Sequence, residues 1–227
     1  MFAVIFEVTP KPERFNEYLA YAKQLKPELE RIEGFIENNR FASKRRAGLL
    51  LSLSLWRDEK AVIRWRTAAL HHKVQEKGRF EVFQDYHLRV GEIAADSALP
   101  TGQALAGQRF DETEAGTAKL IGIHDTDLPG LAPDAGAGDL AAAFGPPLER
   151  ADGLVEWDVF ENINQPGHAL LLTSWRQATA ADAWETAGQG GNGKARRRRV
   201  RVIRDYGLAD RREAPQYYPP VPRPLAG

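Results

Sequence analysis

Pro27-Glu-Leu-Glu-Arg-Ile-Glu-Gly34 returns 119 residues later as Pro146-Pro-Leu-Glu-Arg-Ala-Asp-Gly153. The same shift lays Trp56-Arg57 on Trp175-Arg176 and Trp65-Arg-Thr-Ala68 on Trp184-Glu-Thr-Ala187, with no gap between 27–68 and 146–187. The chain of 227 residues holds five tryptophans, so two recurring at one spacing mark an internal repeat. Asp85-Tyr86 recurs as Asp205-Tyr206 at an offset of 120, which sets the closing strands in equivalence. The chain thus reads as a first unit over 1–98, a linker over 99–117, a second unit over 118–210 and a Pro-rich tail over 211–227.

Each unit reads as strand, helix, strand, strand, helix, strand. In the first, Phe2–Val8 alternates as a strand, and Pro10-Lys-Pro12 opens a helix whose apolar positions Phe15, Tyr18, Leu19, Ala22, Leu25, Leu29 and Ile32 keep helical spacing. Pro27 is expected to kink that helix or split off its last turn, and Gly34 to end it. Phe35–Ala42 and Leu49–Trp56 supply two strands, Asp58 caps a second helix running to about Gly78, and Phe80–Ile93 closes the unit.

This order is the ferredoxin-like βαββαβ unit, an α+β architecture with both helices on one face of an antiparallel sheet. The other face of each sheet needs a cover. Two such sheets packed face to face solve that, either inside one chain as a pseudo-dimer or with a second chain as a homodimer.

Thirty-one Lys+Arg balance thirty-one Asp+Glu, which argues against a polyanion or an anionic membrane as partner. With no cysteine, disulfides, thiolate metal sites and cysteine nucleophiles are excluded. The opening apolar run is broken by Glu7 and follows no basic leader, so the expected location is cytoplasmic. His124 and Asp125 have no further ligand at metal spacing, and no metal site is expected. The run Arg196–Arg204 alternates Arg and Val from Arg199 onward, as a strand with one wet face does. The Gly-rich stretches 135–138 and 188–193 lack phosphate-loop context and read as flexible loops.

The opening strand, Gly34-Phe35, the Leu-Ser-Leu-Trp-Arg-Asp-Glu junction ending at Glu59, Ala61-Val-Ile-Arg-Trp65, His71 and Gly78-Arg79 resemble the antibiotic biosynthesis monooxygenase group of dimeric α/β barrels. The second copy resembles a worn partner half. It keeps Trp175 and Trp184 but replaces the His71-to-Arg79 stretch with Gly188-Gln-Gly-Gly-Asn-Gly193. The resemblance implies a cofactor-independent monooxygenase acting with dioxygen on a small aromatic of phenol or quinol type. Haem-degrading relatives of the fold use a first-strand Asn, the helix-two Trp and a His ten residues later. Here those positions are Phe6 or Glu7, Trp65 and Gln75, so haem is the runner-up cofactor.

On a continuous second helix, at about 100° per residue, Ala61, Ala69 and His72 share the face of Trp65, while His71 turns toward solvent. The expected site is therefore His72 as base and Trp65 as pocket wall, with Phe6, Trp56, Ala69, Phe83 and Tyr86 lining the substrate. Two further readings compete with the monooxygenase: a haem-binding or haem-degrading protein with altered ligands, and a non-catalytic ligand-binding or assembly protein. What both copies keep reads as fold, and what only the first keeps reads as function, which predicts one working pocket, in the N-terminal half.

Overall fold

In the computed structural model, residues 1–128, 135–188 and 195–215 are described. The first unit runs β1 (Phe2–Pro10), a 3-10 turn (Pro12–Arg14), α1 (Phe15–Glu30), β2 (Phe35–Ser43), β3 (Leu50–Trp56), α2 (Glu59–Thr67), α3 (Ala69–Lys77), a π-helical turn (Gly78–Val82) and β4 (Phe83–Asp96). The second runs β5 (Leu120–Asp127), α4 (Ala137–Ala142), a 3-10 turn, β6 (Leu154–Asn162), β7 (His168–Trp175), α5 (Ala178–Ala187) and β8 (Arg196–Gly207). Residues 216–227 of the expected tail, and most of the 188–193 stretch, lie outside the described residues.

The eight strands close into one antiparallel ring, β1-β3-β2-β6-β7-β5-β8-β4. The sheets of the two units join through β2 with β6 and β4 with β8, so the pseudo-dimer forms within the chain. Strand alternation explains why the ring closes: the odd positions Met1, Ala3 and Ile5 of β1 and Leu51, Leu53 and Leu55 of β3 point inward. There they meet Ile121, Ile123, Leu170, Leu172, Val200 and Val202 of the other copy. Helices cover the outside, where smaller apolar clusters lie beneath them.

The repeat is visible at single residues. Gly34 and Gly153 both adopt positive φ, +91° and +76°, and a Cβ on either would fall 2.7 Å from the Cβ of Ala61 or Ala180. Trp56 and Trp175 are both buried, each with its indole N–H donating to the hydroxyl two residues earlier, Ser54 at 2.9 Å and Thr173 at 2.8 Å.

Pairing register corrects the equivalence of the last strands. Phe2 faces Glu92 as Leu120 faces Arg201, so Arg89 corresponds to Arg198 and His87 to Arg196. Asp205 then corresponds to Asp96, and Asp85-Tyr86 and Asp205-Tyr206 occupy opposite ends of their strands. A short dipeptide match had masked an insertion.

With that register, the polar ends of the barrel obey the same pseudo-symmetry. Buried Arg89 bonds Glu7 of its own unit and Glu156 of the other, and buried Arg198 bonds Asp125 of its own unit and Glu37 of the other. The basic run of β8 is therefore only partly a wet face: Arg198 points inside the ring, while Arg199 and Arg201 pair with Glu185 and Glu92.

Other differences from expectation are local. α1 passes through Pro27 without a break. β4 begins at Phe83 because a π-helical turn occupies the preceding five residues. Part of the 135–138 stretch belongs to α4. No described helix is long and apolar enough to cross a membrane.

Candidate active site

Under its helices the first unit leaves a deep pocket on the outer sheet face. Its floor is the outward face of β1, β2, β3 and β4, with Phe6, Asn38, Arg40, Ser52 and Leu88. Small and polar floor residues keep it open. At the matching positions the second unit has Trp157, Val159 and Leu171 in place of Asn38, Arg40 and Ser52, and by strand register His124 in place of Phe6. There Trp184 is buried against Trp175 and His124, and its N–H donates to the Pro146 carbonyl at 3.2 Å. Side chains occupy in the second unit the volume that the first keeps empty. The N-terminal pocket holds about 200 Å³ of space and opens to solvent at its mouth.

The roof comes from α1, α2 and α3. The second helix begins as expected, with the Asp58 carboxylate accepting from the Ala61 N–H at 2.8 Å. It is not continuous. Ala68 sits at φ −58°, ψ 129°, outside helical geometry, and separates α2 from α3. Thr67 bonds back to the Ile63 carbonyl at 2.9 Å, the kind of side-chain competition that bends helices.

That break reverses the expected placement of the two histidines. The His71 ring lies on the Trp65 indole, centroids 3.9 Å apart and 14° from parallel, and its Nδ1 meets the Trp65 carbonyl at 2.9 Å. Because a carbonyl only accepts, Nδ1 carries the proton and Nε2 the lone pair. Burial lowers the His71 pKa to about 4, outweighing the opposing bond to Trp65. His72 is exposed on α3 and does not line the pocket.

The remaining expected residues divide cleanly. Trp65, Phe6, Phe83 and Tyr86 line the pocket. Phe6 packs on Phe83 and Tyr86 at 5.8 and 5.6 Å between centroids. Ala69 is exposed at the start of α3, and Trp56 is sealed beneath α2 with Phe2 and Ala61, so neither reaches the cavity. Trp56 was placed by its neighbourhood in sequence; it shares the outward face of β3 with Ser52 and Ser54, but at the end of the strand it lies under α2 and fills the helix–sheet layer there.

Several lining residues had no signal in the sequence. Tyr18 is buried with its pKa raised by desolvation, against an opposing hydrogen bond from Arg40. Tyr86 accepts hydrogen bonds from Arg79 at 3.2 Å and Arg211 at 2.6 Å. Gly78 lets Phe83 fold against it, since a Cβ there would fall 2.6 Å from the ring. From the second unit, Arg204 and Tyr206 on β8 join the wall across the β4–β8 seam.

A group of metal-ligand type, Glu7, His87 and Glu156, also gathers at one barrel end. Arg89 already bonds both glutamates, so a guanidinium supplies the cation there.

The architecture is thus a fused α/β barrel whose first unit holds an open pocket, built of residues suited to an apolar molecule with hydrogen-bonding groups. Residues 1–77 match the family described as antibiotic biosynthesis monooxygenase. A curated relative from Pyricularia oryzae, named jasmonate monooxygenase ABM, is 46% identical over 227 residues, spanning 97% of this chain and 100% of that protein. The chain belongs to the antibiotic biosynthesis monooxygenase family. Among solved structures, two aldoxime dehydratases, one in complex with butyraldoxime, share the fold at 12% identity with TM-scores of 0.53 and 0.54. They cover 89% of this chain and 81% and 79% of their own.

Proposed function

We propose that the chain is a monooxygenase that binds a small amphipathic molecule of the jasmonate kind in its N-terminal pocket and oxygenates it there. The supporting observation is the full-length likeness to a relative named for that substrate, in a chain whose N-terminal unit holds a deep, ring-lined pocket. The ring-lined floor shields the apolar body of the ligand from water. Trp65 and His71 form a flat, rigid wall, and Nε2 of His71 accepts a hydrogen bond from a substrate hydroxyl. With its pKa lowered to about 4, His71 stays neutral near pH 7 and is a weaker base than an ordinary histidine. This argues for positioning and not for the proton abstraction expected of a phenol-oxidising base.

Oxygenation places one atom of dioxygen in the product and releases the other as water, which consumes two electrons and two protons. A quinol supplies these itself; a jasmonate requires an added two-electron donor. Oxygen uptake and product mass, measured with a dihydroxyarene alone and with jasmonate plus reduced nicotinamide, therefore separate the two substrate classes. A product one oxygen heavier than jasmonate supports the proposal. Uptake with the dihydroxyarene alone returns the substrate to the quinol class, and no uptake with either leaves a binding protein.

The reading includes no resident cofactor for the quinol arm, and a flavin or haem band in the purified protein overturns that. One observation favours haem as a second reading: a histidine whose Nδ1–H is tied to a backbone carbonyl presents Nε2 as a metal-ligating imidazole does. A saturable Soret shift on hemin titration, lost in His71→Ala, would establish it.

A further inference from the structure

The pocket carries more positive charge than its neighbours neutralise. Arg66 of α2 and Arg204 of β8 both line it, and among the described residues neither side chain forms a hydrogen bond or an ion pair. The Arg66 Nε is buried without a partner. The two come from different units yet converge: both act electrostatically on the buried hydroxyl of Tyr206, as does Arg211. Burial still drives the Tyr206 pKa up to about 12, so this phenol is no counterion.

Nearby carboxylates are engaged elsewhere. Glu59, at the pocket edge, bonds Arg109 at 2.7 Å. Asp205 bonds His87 at 2.6 Å, and Glu213 accepts from Thr113 and from the backbone of Glu114, Ala115 and Asp205. Guanidinium groups left unpaired in a partly buried wall are costly unless an anion completes them, and their planar donors match a carboxylate. Val4, Leu25, Leu29, Val62, Leu88 and Val90 supply an aliphatic part of the lining.

We propose that Arg66 and Arg204 jointly hold the carboxylate of the ligand, so that the second copy, its own pocket filled, completes the first copy's site by lending it an anion anchor. The inference rests on the reading of this cavity as the substrate site. It assigns the charged head of an amphipathic acid to the β4–β8 side and leaves the apolar body to face Phe6, Phe83 and Trp65. It also accounts for a basic strand in a chain of zero net charge: Arg198, Arg199 and Arg201 are paired with Asp125, Glu185 and Glu92, and Arg204 is kept for a guest.

The test is calorimetric titration of the full chain with jasmonate, methyl jasmonate, decanoate and methyl decanoate, in the native protein and in Arg66→Gln, Arg204→Gln and Arg204→Lys. The acids are expected to bind more tightly than their esters. Each Gln variant should weaken acid binding by about tenfold to a hundredfold, the worth of one charge-assisted hydrogen bond, while ester binding stays unchanged. Arg204→Lys should restore part of the loss. Thermal unfolding of each variant separates a lost anchor from a lost fold. Acids binding no better than esters, or failing to bind at all, overturns the proposal. So does an acid preference that both Gln variants retain. Because binding is read without turnover, absence of oxygenation would sink the monooxygenase reading alone, and equal binding of acid and ester would sink only the anchor.

Discussion

His71 lies flat against Trp65 with 3.9 Å between ring centroids and its Nδ1 proton on the carbonyl of that same tryptophan. The pairing locks an imidazole into one tautomer and one orientation while burial lowers its pKa to about 4. His124, buried beneath Trp184 in the second unit, is likewise lowered to about 4 by burial.

A pH dependence of stability follows. Both rings are neutral in the fold and take up protons more readily when unfolded, where the ordinary value is 6.5. Protons therefore bind preferentially to the unfolded chain between those values. Stability is complete above about pH 6.5 and declines as pH falls toward 4, by about 3 kcal/mol for each ring. Urea midpoints measured across that range should fall. His71→Phe and His124→Phe should each flatten the slope, and a slope unchanged in both variants would refute the account.

The filled second pocket suggests a direct way to close the first. Ser52 occupies on the floor the position that Leu171 occupies in the other unit. Ser52→Leu should abolish ligand binding and turnover while leaving the melting temperature unchanged or raised. The converse, Leu171→Ser, opens a polar hole in a packed cluster and should cost about 2–5 kcal/mol. Paired calorimetry and thermal melts would check both.

Arg89 is buried between two carboxylates of different units. Arg89→Met removes one of the two guanidinium groups bonded to buried Glu7, Arg46 being the other, and should destabilise by about 3–5 kcal/mol. Adding Glu7→Gln relieves the buried charge that Arg46 alone then compensates, so the double variant should be the more stable of the two in chemical denaturation. The reverse order would contradict the assignment.

Both edges of each sheet are paired inside one chain. Light scattering of the purified protein at micromolar concentration should therefore report a monomer, with unfolding independent of protein concentration.

The two offset tryptophans and Gly34 with Gly153 were enough to reveal the barrel, because a buried indole and a positive-φ glycine are fixed by local sterics that survive divergence. The pocket was half legible. Phe6 and Phe83 follow from strand alternation, and Trp65 from its place on the helix. His71 was not, because reading a helix as a wheel assumes it is straight, and no proline or glycine announces the break at Ala68. Arg204 was hidden for another reason: it belongs to the far copy, and its approach depends on the β4–β8 register, where the Asp-Tyr repeat points the wrong way.

Closure of the ring within a single chain also changes what evolution can do to it. Two identical subunits must share every substitution, so a symmetric assembly cannot fill one of its cavities and keep the other. Once the halves are joined, each position exists once. Leu171 and Trp157 could thicken one side while Ser52 and Asn38 stayed thin on the other. A gene fusion here converts a symmetry constraint into freedom to specialise, with one half set to receive and the other to support.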